Sequence, residues 1–157
     1  MKEADGRTEV IFTHNAGNLG SLTFPFAYLA SVLQDASTSL IYVGLETSNG
    51  GQVHHIRAQR NYPQGSDPSG ILQKLSQREF FVDASSSLVV ASEDMAHPRD
   101  KATINAVRRI QFSDYRQVSG VLVPFSIAES LEGQRGETFQ LNQITFNTGL
   151  QDSDFAQ

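Results

Sequence analysis

The last third of the chain, residues 108–155, constrains the fold most, because it reads as an up-and-down β-meander. Apolar residues line one side at period two, turn residues intervene at Ser119-Gly120 and Glu132-Gly133, and the run closes on an acidic Gln151-Asp152-Ser153-Asp154-Phe155. A period of two places alternate side chains on opposite faces, so these residues need partners in a sheet. Val121, Val123, Phe125, Ile127 and Leu131 share a face interrupted by Glu129, whereas Pro124 falls on the other parity and predicts an edge or bulged position. In the closing strand the apolar parity switches from Phe139 and Leu141 to Ile144 and Phe146. A bulge near Asn142-Gln143 would restore one face and bend the sheet.

The preceding residues supply further strands and one clear helix. Residues 8–13 alternate as a strand that ends in the turn-rich His14-Asn15-Ala16-Gly17-Asn18. Over residues 25–36, Phe26, Leu29, Ala30 and Leu33 recur at helical spacing, with Thr23 as N-cap and Pro25 in the first turn. Residues 40–45 are apolar apart from Gly44 and read as a strand buried on both sides. Ser48-Asn49-Gly50-Gly51 signals a hairpin into residues 52–60. A short helix is expected from Asp67 as N-cap through Leu75. Strands over 77–82 and 88–94 flank Asp83-Ala84-Ser85-Ser86, and a mobile loop follows at residues 95–100. Three long strands complete the reading, over 102–113, over 116–131 with a turn at Ser119-Gly120, and over 136–147. The fold class expected is mainly antiparallel β (α+β): one domain over 1–157 in which a curved sheet or half-barrel carries one or two helices on its concave face.

Composition narrows the function. Ten Phe and four Tyr with no Trp provide the bulky core, and the absence of Cys excludes disulfides, thiolate metal sites and a cysteine nucleophile. The net charge of −5 and the scatter of the twelve Lys and Arg, the pair Arg108-Arg109 aside, give no basic stripe for nucleic acid. No stretch approaches the ~18 consecutive apolar residues of a membrane-spanning helix. Residues 1–7 are charged and lack the apolar core of a secretory leader, so the protein is either cytosolic or has had a leader removed.

Catalytic signals are weak. His54 and His55 are neighbours on a strand, point to opposite faces and cannot share a metal. His97 lies near Glu93, Asp94 and Asp100, a set that reads as solvated loop residues because no metal-ligand spacing supports it. Asp152 and Asp154 lack the further oxygen ligands of a calcium loop, and Gly17-Asn18-Leu19-Gly20 is too poor in glycine to cradle a phosphate. No catalytic residue, metal ligand or cofactor is assigned, and no ligand-contacting residue is singled out. Phe80 and Phe81, on opposite faces of one strand, require part of the sheet's second side to be dry as well. Either the helix at 25–36 fills the hollow against the sheet, or an apolar ligand shares it.

The runs Arg78-Glu79-Phe80-Phe81-Val82-Asp83, Leu88-Val89-Val90, residues 110–124 and residues 143–155 resemble the C-terminal portion of the outer-membrane lipoprotein-sorting superfamily. That superfamily includes the LolA and LolB carriers and the MucB/RseB sensor domains. The resemblance covers about half of the chain. It implies an antiparallel half-barrel closed by helices, a hollow that takes acyl chains, and a periplasmic or envelope address. The superfamily's long N-terminal helix and first strands have no clear counterpart before Thr8, which reads as a fragment or a shortened relative. The function expected is a non-enzymatic lipid or lipoprotein carrier or sensor. The alternative is an envelope module that holds a protein partner, or a second copy of itself, through exposed strand edges.

Overall fold

The structure, a computed structural model, describes residues 25–97, 104–149, 151 and 153. The strand at 8–13, the Thr23 cap and the acidic pair Asp152 and Asp154 lie outside these residues. Among the described residues the chain forms helix α1 (Pro25–Gln34), strands β1 (Thr38–Ser48) and β2 (Gly51–Arg60), helix α2 (Ile71–Leu75), and strands β3 (Arg78–Asp83), β4 (Val89–Ala96), β5 (Ala106–Val118), β6 (Val121–Leu131) and β7 (Gln134–Gln140). The seven strands make one open sheet in sequence order, every neighbouring pair antiparallel. Among these residues no helix is long and apolar enough to cross a membrane.

Turn chemistry sets the meander. Asn49-Gly50, Ser119-Gly120 and Glu132-Gly133 each place two successive residues at positive φ, between 50° and 86°, which is the mirror-image turn whose twist matches that of paired strands. The β3–β4 connection is longer. There the Asp83 carboxylate accepts from the backbone N–H groups and hydroxyls of Ser85 and Ser86, and those donors hold its pKa far below the usual carboxylate range.

Several expected boundaries shift. The turn at Ser119-Gly120 does not interrupt a strand over 116–131 but separates β5 from β6. Asp114, at φ 53°, sits inside β5 without changing the pairing register on either side. Strand β4 continues to Ala96, into the stretch read as a loop. Strand β7 stops at Gln140, so Ile144 and Phe146 lie beyond it and Asn142-Gln143 forms no bulge. Three bulges occur elsewhere: in β1 between Tyr42 and Gly44, in the β3–β4 pair at Phe81/Val82, and in the β6–β7 pair at Ala128/Ser130. Gly136 suits the last one, because a Cβ there would stand 3.2 Å from the Glu129 carbonyl oxygen, closer than ordinary contact. Pro124 stands on the part of β6 beyond Ser126, where pairing with β7 ends, and this is the edge position its missing N–H requires.

The principal core lies under α1. Val32 packs with Ala58, Phe80, Val89, Ile110, Phe112 and Ile127, and Tyr28, Leu29, Ile56, Val82, Tyr115 and Leu141 surround them. The buried side of α1 is therefore the Tyr28-Leu29-Val32 stripe, while Leu33, expected on it, is 66% exposed. The helix ends at Gln34 because Asp35 folds the next residues into a turn, accepting from the N–H and hydroxyl of Ser37 and the hydroxyl of Thr38. In α2 the flanking residue is Gly70, yet Asp67 still caps the helix, with its carboxylate on the N–H groups of Leu72 and Gln73.

The largest departure is at β1. Residues 40–45 were expected to be buried on both faces; instead Leu40, Ile41, Tyr42, Val43 and Leu45 are 37–60% exposed, because β1 is the first described strand of the sheet and among the described residues β2 alone pairs with it. The second side of the sheet is dry where Phe81 lies, as the adjacent phenylalanines require: Val53, Phe81 and Ala91 form a separate buried cluster there.

Two outcomes test this packing. Phe80, with no exposed surface, should cost about 3–5 kcal/mol when replaced by Ala, read as a lowered urea midpoint with an unchanged slope. Burial pushes the Tyr115 phenol well above its ordinary value of 10.0. A raised pKa contributes stability that is complete below the unfolded value and is lost as pH rises toward the folded one, so the alkaline limb of a stability–pH curve should fall above about pH 10 and flatten in Tyr115→Phe.

Candidate functional site

Consecutive residues on a strand point to opposite faces, so the pairs Arg78-Glu79, Glu93-Asp94 and Arg108-Arg109 send one charge to each side of the sheet. The register then aligns them into two rows. On the face toward α1, Arg78 lies opposite Asp94, and Asp94 opposite Arg108; on the second face, Arg57 lies opposite Glu79, Glu79 opposite Glu93, and Glu93 opposite Arg109.

The α1-side row is the more deeply buried. Asp94 accepts from Arg108 Nε and Nη2 at 2.9 and 2.7 Å and from Arg78 Nη2 at 3.2 Å. The Arg78 and Asp94 side chains are 3% and 4% exposed, and the Arg78 guanidinium lies 4.3 Å from the Tyr28 ring centroid, which ties the charged row to α1. Next to this row the apolar surface runs from Ile56 and Ala58 on β2, through Phe80, Val89, Ile110 and Phe112, to Ile127 on β6. The sole helix laid over it is the ten-residue α1, at least among the described residues.

The second face is polar and recessed. Glu79 faces Glu93 across the β3–β4 ladder, a like-charge juxtaposition that each carboxylate offsets with cations. Glu79 takes Arg57 Nε at 2.7 Å, His55 Nε2 at 2.8 Å and Gln77 Nε2 at 2.7 Å; Glu93 takes Arg109 Nη1 at 2.6 Å. Since His55 Nδ1 also lies 2.7 Å from Glu46, the imidazole links β1 to β3 through a carboxylate on each nitrogen. Above the row a cavity of about 280 Å³ is lined by His55, Arg57, Lys74, Gln77, Glu79, Glu93, Asp94, Met95 and Val107. The small side chain of Ala91 leaves room for Arg109 to reach the Phe81 ring at 4.4 Å, and the His55 ring stacks on Phe81 at 4.6 Å. Arg109 Nη2 also donates to Ser48 Oγ at 3.2 Å. Flat strands would place β1 and β5 roughly 19 Å apart, four spacings of about 4.8 Å, so this contact requires the β1–β2 hairpin tip to curl toward the second face. A groove of about 320 Å³ follows that tip, between Gly51 and Val53 on one side and Gln111 and Ser113 on the other.

The sequence-derived candidates are dispersed. His54 and His55 separate as expected, His54 Nδ1 lying 3.1 Å from the Tyr42 hydroxyl and His55 between its two glutamates. His97 is buried at 6% exposure rather than solvated, with Nδ1 3.1 Å from the Ile104 carbonyl oxygen. Glu93 and Asp94 are engaged by arginines on opposite faces, and Asp100 lies outside the described residues. Among the described residues no three His, Asp or Glu side chains are grouped to hold a metal. Sequence reasoning missed the two charged rows; the signal was present in the three adjacent charged pairs on neighbouring strands.

No family model matches the chain, and no curated protein does. Its structure is similar to a crystal structure of a domain assigned to outer-membrane lipoprotein sorting from Vibrio parahaemolyticus, with a TM-score of 0.50 and 17% sequence identity. The match covers 76% of this chain and 46% of that one, so the chain spans less than half of the domain it matches. At this identity the likeness is one of fold.

The two charged rows differ in burial, and their variants should differ accordingly. Asp94→Asn leaves Arg78 and Arg108 without their shared anion and should cost about 3–5 kcal/mol in urea unfolding. Glu93→Gln, at a pair 22% and 26% exposed, should cost no more than about 1 kcal/mol.

Proposed function

We propose that this protein binds a lipid or lipoprotein acyl chain, without chemistry, between α1 and the sheet, and that it works in the bacterial cell envelope. One observation carries the reading: a continuous apolar surface across five strands, β2 to β6, on which one short helix among the described residues seats Tyr28, Leu29 and Val32. A ten-residue helix is marginal on its own in water and owes its stability to packing. An acyl chain that enters beneath it gains roughly 0.8 kcal/mol for each CH₂ buried, the same driving force that holds the helix down. Uptake and release then amount to exchanging one apolar occupant for another. The fold likeness to a lipoprotein-sorting domain supports both the ligand class and the envelope address.

Binding here needs no ionisable catalyst. The charged row on this face has a structural part, with Asp94 pairing with two arginines and Tyr28 resting on Arg78 at the border of the apolar surface.

Purified protein incubated with a fluorescent fatty acid should show saturable enhancement that a non-fluorescent acyl chain displaces, and native mass spectrometry should show a lipid adduct. Ala58→Leu, which adds bulk on the covered surface while keeping it apolar, should weaken uptake about tenfold with the circular dichroism spectrum unchanged. A properly folded protein that takes up no acyl chain would overturn the reading.

A further inference from the structure

Among the described residues the two edges of the sheet, β1 and β7, differ in kind. Strand β7 is guarded: its QRGETFQ sequence places Arg135 and Glu137 on a short strand next to a bulge. Strand β1 is eleven residues long, and from residue 36 to residue 45 it and the preceding turn carry no charge and no proline. On this stretch Leu40 is 37%, Ile41 40%, Tyr42 60%, Val43 45% and Leu45 51% exposed, and Leu33 of the adjoining α1 is 66% exposed. Pairing with β2 places Leu40, Tyr42 and Leu45 on the α1 side and Ile41 on the other, so both faces of the edge are apolar. A helix can cover one such face; a further strand, with its own side chains on both sides, covers both.

We propose that β1 pairs antiparallel with β1 of a second copy of this chain, about a two-fold axis through Tyr42, giving a continuous sheet across the dimer. Face parity and charge favour this register. Opposed residues must share a face, and an axis at Leu40 would, past the bulge at Val43, set Glu46 of one copy against Asp35 of the other, a like-charge contact. With the axis at Tyr42, and the bulge at Val43 carried through the pairing so that opposed residues share a face, Glu46 meets Ser39, Leu40 meets Leu45, Ile41 meets Gly44, and Tyr42 meets its own copy. Glu46 keeps its bond to His55, which holds β1 on its own sheet.

Area sets the strength. Six large apolar residues near half exposure contribute on the order of 500 Å² per copy, and the strand's backbone edge with Thr38, Ser39 and Thr47 brings this toward the ~800 Å² per partner of an ordinary specific interface. The dimer is accordingly a modest one that forms with concentration. Exposed backbone N–H and C=O groups of β1 supply its directionality.

The chain contains no cysteine, so single-cysteine variants report contacts without background. Tyr42→Cys should form a disulfide-linked dimer under mild oxidation, whereas Phe139→Cys on the exposed β7 edge should not. Sedimentation equilibrium from about 10 to 500 µM should show a monomer–dimer equilibrium, weakened at least tenfold by Ile41→Lys and, independently, by Val43→Lys, with unchanged circular dichroism. A monomer throughout that range, lysine variants that dimerise as well as the parent, or equal cross-linking through Phe139→Cys would overturn the proposal.

Discussion

Two consecutive carboxylates, Glu93 and Asp94 in the middle of β4, fix the register of this sheet from both sides at once. Asp94 points toward α1 and meets Arg78 and Arg108; Glu93 points away and meets Arg109. Sliding β4 by one residue against either neighbour would exchange the faces and leave Arg78, 3% exposed, without its anion. An apolar pattern alone specifies this less well, because Phe80 and Phe81 are both buried and a slip would still put a phenylalanine on each face. The charges break that degeneracy. Buried ion pairs contribute little net stability against an apolar replacement, but a misplaced one costs several kcal/mol, so their effect is on uniqueness of the pairing.

With the register fixed, the faces acquire different characters. The α1 side continues from the Asp94 row into the Phe80, Ile110 and Ile127 surface, and a helix with a single apolar stripe can close it. The other side carries two glutamates directly opposite each other, which is tolerable only because Arg57, His55 and Gln77 gather on one and Arg109 on the other. The His55 ring and the Arg109 guanidinium lie over Phe81 and keep it dry, with no helix of the described residues laid on it. One sheet thus has a face closed by secondary structure and a face closed by side chains. The proposed acyl-chain binding belongs with the first, because apolar groups there can be exchanged without stranding a charge.

The legible part of the fold was whatever depends on local chemistry. Asn49-Gly50, Ser119-Gly120 and Glu132-Gly133 determine their turns within two residues, and the antiparallel meander follows from them. The helix beginning at Pro25 and the capping part of Asp67 were likewise visible. The errors came where position in the sheet decides. Leu40-Ile41-Tyr42-Val43 looks like a central strand by composition, and nothing in its sequence says that no described strand lies beyond it; the exposure of Tyr42 follows from topology alone. Similarly, Ile144 and Phe146 have strand-like spacing, but β7 ends at Gln140 and the following Leu141 N–H makes one last bond to the Phe125 carbonyl of β6 before them. The charged rows were overlooked because each pair is ordinary on its own strand and becomes a row only once four strands are aligned.

The two ends of β1 face different demands. At Ser48 the hairpin tip curls over the second face to meet Arg109, and at Thr38 the strand begins directly after the Asp35 turn that terminates α1. The strand is therefore tied at one end to the charged face and at the other to the helix on the apolar face. Only three residues, Asp35 to Ser37, separate α1 from β1, so any rise of α1 from Phe80 and Ala58 is transmitted to Thr38 with little slack in the chain. The bulge at Tyr42/Gly44 lies between these anchors and is where β1 can change its bend without breaking either. Movement of α1 and the shape of the exposed edge are thereby coupled through one short connection.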